Sequence, residues 1–140
     1  MTFKNTPSEN FPEIFAAAWA NPTLDSLMAP LRDEVVLVQP LSRDLVGKAE
    51  ARKTFAKTLK RFPGVCGTVH GHAISDDLHL YIDWTLRAPI GGRMIAVPII
   101  DKFWFLDGLV SKRIAYFDPA PIIKATLKSP RQWLRVLSTL

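Results

Sequence analysis

Asp101 interrupts the most apolar stretch of the chain, which runs from Met94 through Val97, Ile99 and Ile100 to Phe103, Trp104, Phe105 and Leu106. A carboxylate in such a run has to be solvated, paired or turned toward a cavity, because burying it alone among apolar side chains is prohibitive. Beside a cavity it is an acid–base group. Held protonated it donates a hydrogen bond, and ionised it accepts a proton. Asp107-Gly108 follows, flanked by two runs rich in β-branched and aromatic residues, and predicts a hairpin with a type I′ turn. That turn pairs position 101 with about position 114, so Arg113 or Ala115 becomes the neighbour of Asp101 on one face. Next to Arg113, Asp101 would stay ionised and act as a base or an anchor, not as a protonated donor.

Asp83 is the second candidate. If it faces a pocket, the period of two puts Tyr81, Thr85 and Arg87 on its face; if Asp101 does, Ile99, Phe103 and Phe105 join it. His70 and His72 would share a strand face, but no carboxylate or third histidine stands near them in sequence, and His79 lies apart. No metal site is expected. Cys66 is the chain's single cysteine, so no disulfide or cysteine metal site arises. There is no Gly-rich phosphate loop and no nucleophile elbow, and Ser42, Ser75 and Cys66 lack recognisable partners. No cofactor is implied.

These groups need elements to hold them. Asn10 to Ala20 reads as a helix with an Asn10/Glu13 capping box and Pro12 in its first turn. Its apolar stripe is Phe11, Ile14, Phe15, Ala18 and Trp19. Thr23 caps a short second helix carrying Leu24, Leu27 and Met28. Glu34 to Gln39 reads as a strand closed by Pro40. Ala49 to Phe62 reads as a long helix with Ala51, Phe55, Leu59 and Phe62 on its stripe. The period then changes to two. Strands follow at Val65–Ser75 and Leu78–Ala88, and the Asp107-Gly108 hairpin supplies two more. Pro119 and Pro121 break from the sheet into a terminal helical region, where Ile122, Ile123, Leu127, Trp133, Leu134, Leu137 and Leu140 can cover apolar surface. Helices first and antiparallel strands later make an α+β layout, and a curved meander around helices leaves a conical hollow suited to a ligand. Phe15, Trp19, Phe103 and Phe117 are expected in its core or lining. Trp84 and Trp104 are expected on the opposite sheet face, where exposed aromatics suggest a homodimer through that face.

The chain has 140 residues, 48% hydrophobic and 22% charged, which is a single globular domain over 1–140. Net charge is +5 and the sequence pI about 9.6. The positive residues gather at Lys48, Arg52, Lys53, Lys57, Lys60 and Arg61, and at Lys124, Lys128, Arg131 and Arg135. Both groups lie on helices with an apolar opposite face, so solvated helix surface is the expectation, with no nucleic-acid partner. No signal peptide or bilayer-spanning run is read, and a cytoplasmic location is the default expectation.

Three stretches resemble the SnoaL-like proteins of the nuclear transport factor 2-like superfamily, over about Phe11 to Pro121. They are Gly47-Lys-Ala-Glu-Ala-Arg52 before a helix ending Arg61-Phe62-Pro63, Gly92 to Phe105, and Asp107 to Asp118. The resemblance implies a cystatin-like, nuclear transport factor 2-like cone: a curved antiparallel sheet wrapped around N-terminal helices, here with a C-terminal helical extension. Ketosteroid isomerase, limonene-epoxide hydrolase and polyketide cyclases share that fold.

Ketosteroid isomerases read Ile-Asp-His-Phe where this chain has Ile100-Asp101-Lys102-Phe103. The resemblance therefore gives Asp101 the role of a protonated acid that hydrogen-bonds a developing oxyanion. The isomerase base falls on Gln39 and the oxyanion-hole tyrosine on Phe15, so neither group is retained. Of the hydrolase Asp–Arg–Asp set, Asp83 matches, while Tyr81 and Ala115 replace the other two. The cyclases use an acidic group in the pocket, for which Asp83 or Asp101 could serve. Two readings follow. One is a cofactor-free isomerase or cyclase acting on a small apolar cyclic ketone or polyketide through Asp101 and Asp83, in a pocket formed by Tyr81, Arg113, Phe15, Trp19, Gln39, Phe103 and Phe117. The other is a non-catalytic ligand-binding or dimeric scaffold module of the same fold.

Overall fold

The computed structural model describes residues 6–128. The elements in chain order are α1 (Phe11–Ala20), α2 (Leu24–Met28), β1 (Leu31–Val38), β2 (Leu45–Val46), α3 (Lys48–Arg61), β3 (Cys66–Ile74), β4 (Leu80–Ile90), β5 (Arg93–Leu106), β6 (Leu109–Tyr116) and α4 (Ala120–Leu127). The strands form one sheet in the order β2-β1-β6-β5-β4-β3. Every pairing is antiparallel except β1 with β6, so the curved sheet is mixed rather than purely antiparallel. The short strand β2 is an element that the sequence reading passes over; two residues carry no readable period.

Local chemistry explains the boundaries. Thr23 accepts from the Ser26 backbone N–H while the Ser26 hydroxyl receives the Thr23 N–H, a reciprocal cap on α2. The expected Asn10/Glu13 box does not form: Asn10 Oδ1 is occupied by the Ser8 hydroxyl at 2.6 Å, and α1 has no side-chain cap. Asp107 and Gly108 both take positive φ, 52° and 79°, as the type I′ turn requires.

The inner face of the sheet closes over α1 and α2. Phe11 and Phe15 meet Phe103, Phe105 and Trp84 edge-on at ring-centroid distances of 5.0 to 5.7 Å. Trp19 lies against Trp84 at 4.9 Å. Ala51 of α3 is buried, and Phe55 and Leu59 pack against the same core. α4 adds Ile122 to it, whereas Ile123 and Leu127 are exposed. The positions from Arg131 to Leu140 assigned to the terminal helical region lie outside the described residues.

Candidate functional site

A bulge decides what faces the interior. An unbroken hairpin through Asp107-Gly108 would pair Asp101 with Ile114 and Lys102 with Arg113, sending Arg113 outward. The ladder instead slips between Trp104 and Phe105: Phe105 pairs with Val110, but Trp104 pairs with Lys112. Ser111 is the extra residue, and beyond it every side chain of β6 changes face. Arg113 now stands opposite Phe103 and Ala115 opposite Asp101, all four on the inner face.

Asp101 is fully buried, and Arg113 is only 8% exposed. Trp84 Nε1 donates to Asp101 Oδ2 at 3.1 Å, whereas Oδ1 has no hydrogen-bond partner. Burial pushes the Asp101 carboxyl up to about 6, against the opposing pull of the Arg113 charge and the Trp84 hydrogen bond. Arg113 Nη2 donates to Gln39 Oε1 at 2.6 Å, and Nε is left without a partner. Burial lowers the guanidinium from its ordinary value, and Asp101 pushes it back. The two side chains sense each other's charge but form no ion-pair contact within 4.0 Å.

Two hollows flank this polar row. One, about 50 Å³, lies under α1 and α2 among Phe15, Trp19, Leu37, Phe55 and Phe103, with Arg113 in its wall. The other is a partly open cleft of about 160 Å³ between α3, β4 and α4, lined by Gln39, Phe62, Leu86, Phe117 and Ile122. Arg113 belongs to the first and Gln39 to the second, so their hydrogen bond crosses the partition between them. Asp101 and Ala115 form the inward-facing ladder row next to Phe103 and Arg113, and they line neither hollow.

The other predicted site residues separate from this set. Asp83 is exposed, and Tyr81, paired with Lys102, also lies on the outer face. The inward reading of Asp83 and Tyr81 is therefore corrected: their strand neighbours Leu80, Ile82 and Trp84 are the buried ones, so Asp83 and Asp101 do not open into one cavity. Trp84 is corrected too, since it lies inside against Asp101, while Trp104 stays outside between Lys102 and Lys112, 4.8 and 5.2 Å from its ring centroid. Phe15, Trp19 and Phe103 fill the space under α1 and line the smaller hollow; Phe117 lines the cleft. His70 and His72 do not share a face, because a second bulge falls between Val69 and Gly71 and His70 turns to the Thr85 hydroxyl at 2.7 Å. Among the described residues no group of three or more His, Cys, Asp or Glu side chains could hold a metal ion, and no helix is long and apolar enough to cross a membrane.

Sequence reasoning missed Trp84 as the partner of Asp101. Two signals could have found it: the strict alternation of β4, and the pairing that sets Ile82 opposite Asp101 with Trp84 two residues on. It also missed the Gln39–Arg113 hydrogen bond, which depends on both the parallel β1–β6 pairing and the Ser111 bulge.

An α+β cone with helices under one sheet face and a buried acid at the centre of that face defines the class. The model of the SnoaL-like domain matches residues 13–113, and the chain belongs to that family. No curated relative matches it. Solved structures share the fold at low identity. A protein assigned as a SnoaL-like polyketide cyclase from Jannaschia sp. CCS1 has TM-score 0.69 at 18% identity over 84% of this chain and 88% of that one. A hypothetical protein with a ketosteroid isomerase-like fold from Catenulispora acidiphila, in complex with trimethylamine, has TM-score 0.73 at 18% identity over 86% and 93%. An epoxide hydrolase of M. tuberculosis resembling limonene-epoxide hydrolase has TM-score 0.62 at 20% identity over 87% and 90%.

Proposed function

We propose that this SnoaL-like protein binds a small, mostly apolar cyclic ketone or polyketide-type molecule in the cleft beside Gln39, with Asp101 as the acid–base group of its interior. One observation carries the reading. A carboxylate is buried in an apolar cone with one oxygen, Asp101 Oδ1, left without a hydrogen-bond partner. Such an atom costs free energy unless a ligand or water satisfies it. The size of the cleft supports a ring: about 160 Å³ is close to the roughly 150 Å³ of an apolar cavity that takes benzene. A carboxyl that titrates near 6 can donate a hydrogen bond to a carbonyl oxygen or take up an α-proton near neutral pH.

Enolisation, the step common to isomerase and cyclase chemistry, is the catalytic form of this reading. Titration with 2-cyclohexenone and 1-tetralone, followed by NMR chemical-shift perturbation at Phe62, Leu86 and Phe117 of the cleft, is expected to saturate. Proton NMR in deuterium oxide is expected to show faster α-proton exchange with the wild type than with Asp101→Asn. Failure of every ketone to bind overturns the reading.

A second reading, a non-catalytic module binding the same ligands, draws support from Gln39, which is no base, from Phe15, which has no hydroxyl, and from Asp83 on the outer face. Saturable binding with no Asp101-dependent exchange selects it. We further propose a homodimer through the outer sheet face, where Ile100 and Tyr116 pair across β5 and β6 and are 40% and 53% exposed.

A further inference from the structure

The hollow under α1 and α2 is separate from the cleft and differs from it chemically. Its wall is apolar, from Phe15, Leu27, Leu37, Phe55 and Phe103, except for Arg113 and for Ser26, whose hydroxyl is engaged by the Thr23 backbone. That guanidinium is more than nine-tenths buried, and its one hydrogen-bond acceptor is the neutral amide of Gln39. Among the described residues its Nε has no partner, and no carboxylate lies within ion-pair distance. The nearest acidic group on its face, Asp101, is turned to Trp84. The acidic residue at the edge of α2, Asp25, is exposed and engaged with Arg52 at 3.4 Å. A buried cation with a free donor and no hydrogen-bonded carboxylate selects for an anion, since a charge-assisted hydrogen bond supplies the charged acceptor that Asp101, turned to Trp84, does not.

The geometry points to a second ligand site on the far side of the partition from the cleft: a pocket for a short aliphatic monocarboxylate, its carboxylate on Arg113 and its alkyl end against Phe15, Leu37, Phe55 and Phe103. Size favours a short chain. At about 50 Å³ the hollow has roughly a third of the volume of a benzene-holding cavity, which suits a carboxylate with a short alkyl end better than a ring. This goes beyond the reading of the cleft and does not depend on it, because the cleft ligand is neutral and cyclic.

The test uses the full chain with propionate and its uncharged near-isostere propionamide, each titrated by NMR chemical-shift perturbation at constant ionic strength. Propionate is expected to bind at least tenfold more tightly than propionamide, with shifts centred on Phe15, Trp19 and Phe103. Arg113→Met is expected to abolish that preference. Gln39→Glu keeps the fold testable should Arg113→Met not fold. It gives Arg113 an internal carboxylate at a partly exposed position and is expected to cut propionate affinity at least tenfold while leaving propionamide unchanged. Equal affinities, a preference that survives both substitutions, or no binding of propionate at all would each overturn the assignment. None of these results bears on ketone binding in the cleft, which the ring titration reports by itself.

Discussion

Phe103 stands directly across the β5–β6 ladder from Arg113, one place away from the register that the Asp107-Gly108 turn alone would set. That single displacement, taken up at Ser111, converts Arg113 from a surface residue into a wall of the cone. It also sets Asp101 opposite the small Ala115, which leaves its carboxylate facing Trp84 rather than an arginine. The bulge thus makes the interior charge pair without making it an ion pair.

The elevated titration of Asp101 makes stability pH-dependent with a definite sign. In the unfolded chain this carboxyl ionises above pH about 4, whereas in the folded protein it stays protonated until about 6. The folded state binds the extra proton between those values, so this group's contribution falls as pH rises through that window and stays low above it. At 1.36 kcal/mol per unit the loss is about 3 kcal/mol. Asp101→Asn keeps an acceptor for Trp84 and has no charge to desolvate. Urea unfolding is expected to show the variant gaining on the wild type between pH 4 and 6.5 and exceeding it at pH 8. A wild-type-minus-variant difference that is flat with pH would contradict this.

Arg113 opposes the burial effect on Asp101, so removing its charge should raise the carboxyl still further. The expected result for Arg113→Met is an upward move of the Asp101 titration, read directly from the carboxyl carbon by 13C NMR. A downward or absent shift would show that the guanidinium does not act on Asp101. The loss of a partner for Gln39 and of a buried side chain makes the variant less stable by roughly 2 kcal/mol, which denaturant melts would record.

The fold was largely readable because its strongest signals are local. The Asp-Gly turn, the stripe of Phe11, Phe15 and Trp19, and the shift from period 3.6 to 2 after Phe62 each depend on neighbouring residues. The site was readable only in part, because a one-residue bulge reverses the face of everything beyond it and leaves no mark in composition. Arg113 was drawn inward from its proximity to Asp101, and Ser111 is the reason it turns there. Asp83 and Trp84 exchanged places in expectation because the strand's alternation fixes two sets of residues without saying which set is inside. Only pairing of Ile82 with Asp101 settles that.

Gly67 on β3 makes room for the tryptophan that holds Asp101. A Cβ built there would sit 2.6 Å from Trp84 Cζ3, closer than packed atoms allow, and a tight 3.2 Å from Trp19 Cβ. Neither ring can retreat, since both are buried against Phe15. Gly67→Ala is therefore expected to cost about 1–3 kcal/mol through overpacking and to alter the near-ultraviolet circular dichroism of the tryptophans. Unchanged stability and spectrum would mean that the indole packing is looser than the contact distances imply.

The outer face of the sheet is mixed in character. Trp104 is covered by Lys102 and Lys112, and His79 packs on it at a ring-centroid distance of 4.8 Å, so its apolar area is already partly shielded. Ile100 and Tyr116 have no such cover and adjoin Ile114 on the same face. Joining two copies over this strip would bury their side chains, and a charge at its centre should prevent that. The wild type is expected to sediment as a dimer at micromolar concentration and Ile100→Lys as a monomer. The substitution replaces a half-exposed side chain on the solvent side of the ladder, so the monomer should keep its fold, with an intrinsic cost within about 0.5 kcal/mol. A wild-type monomer, or a dimer undisturbed by the lysine, would place the association surface elsewhere and leave Ile100 and Tyr116 as ordinary exposed apolar residues.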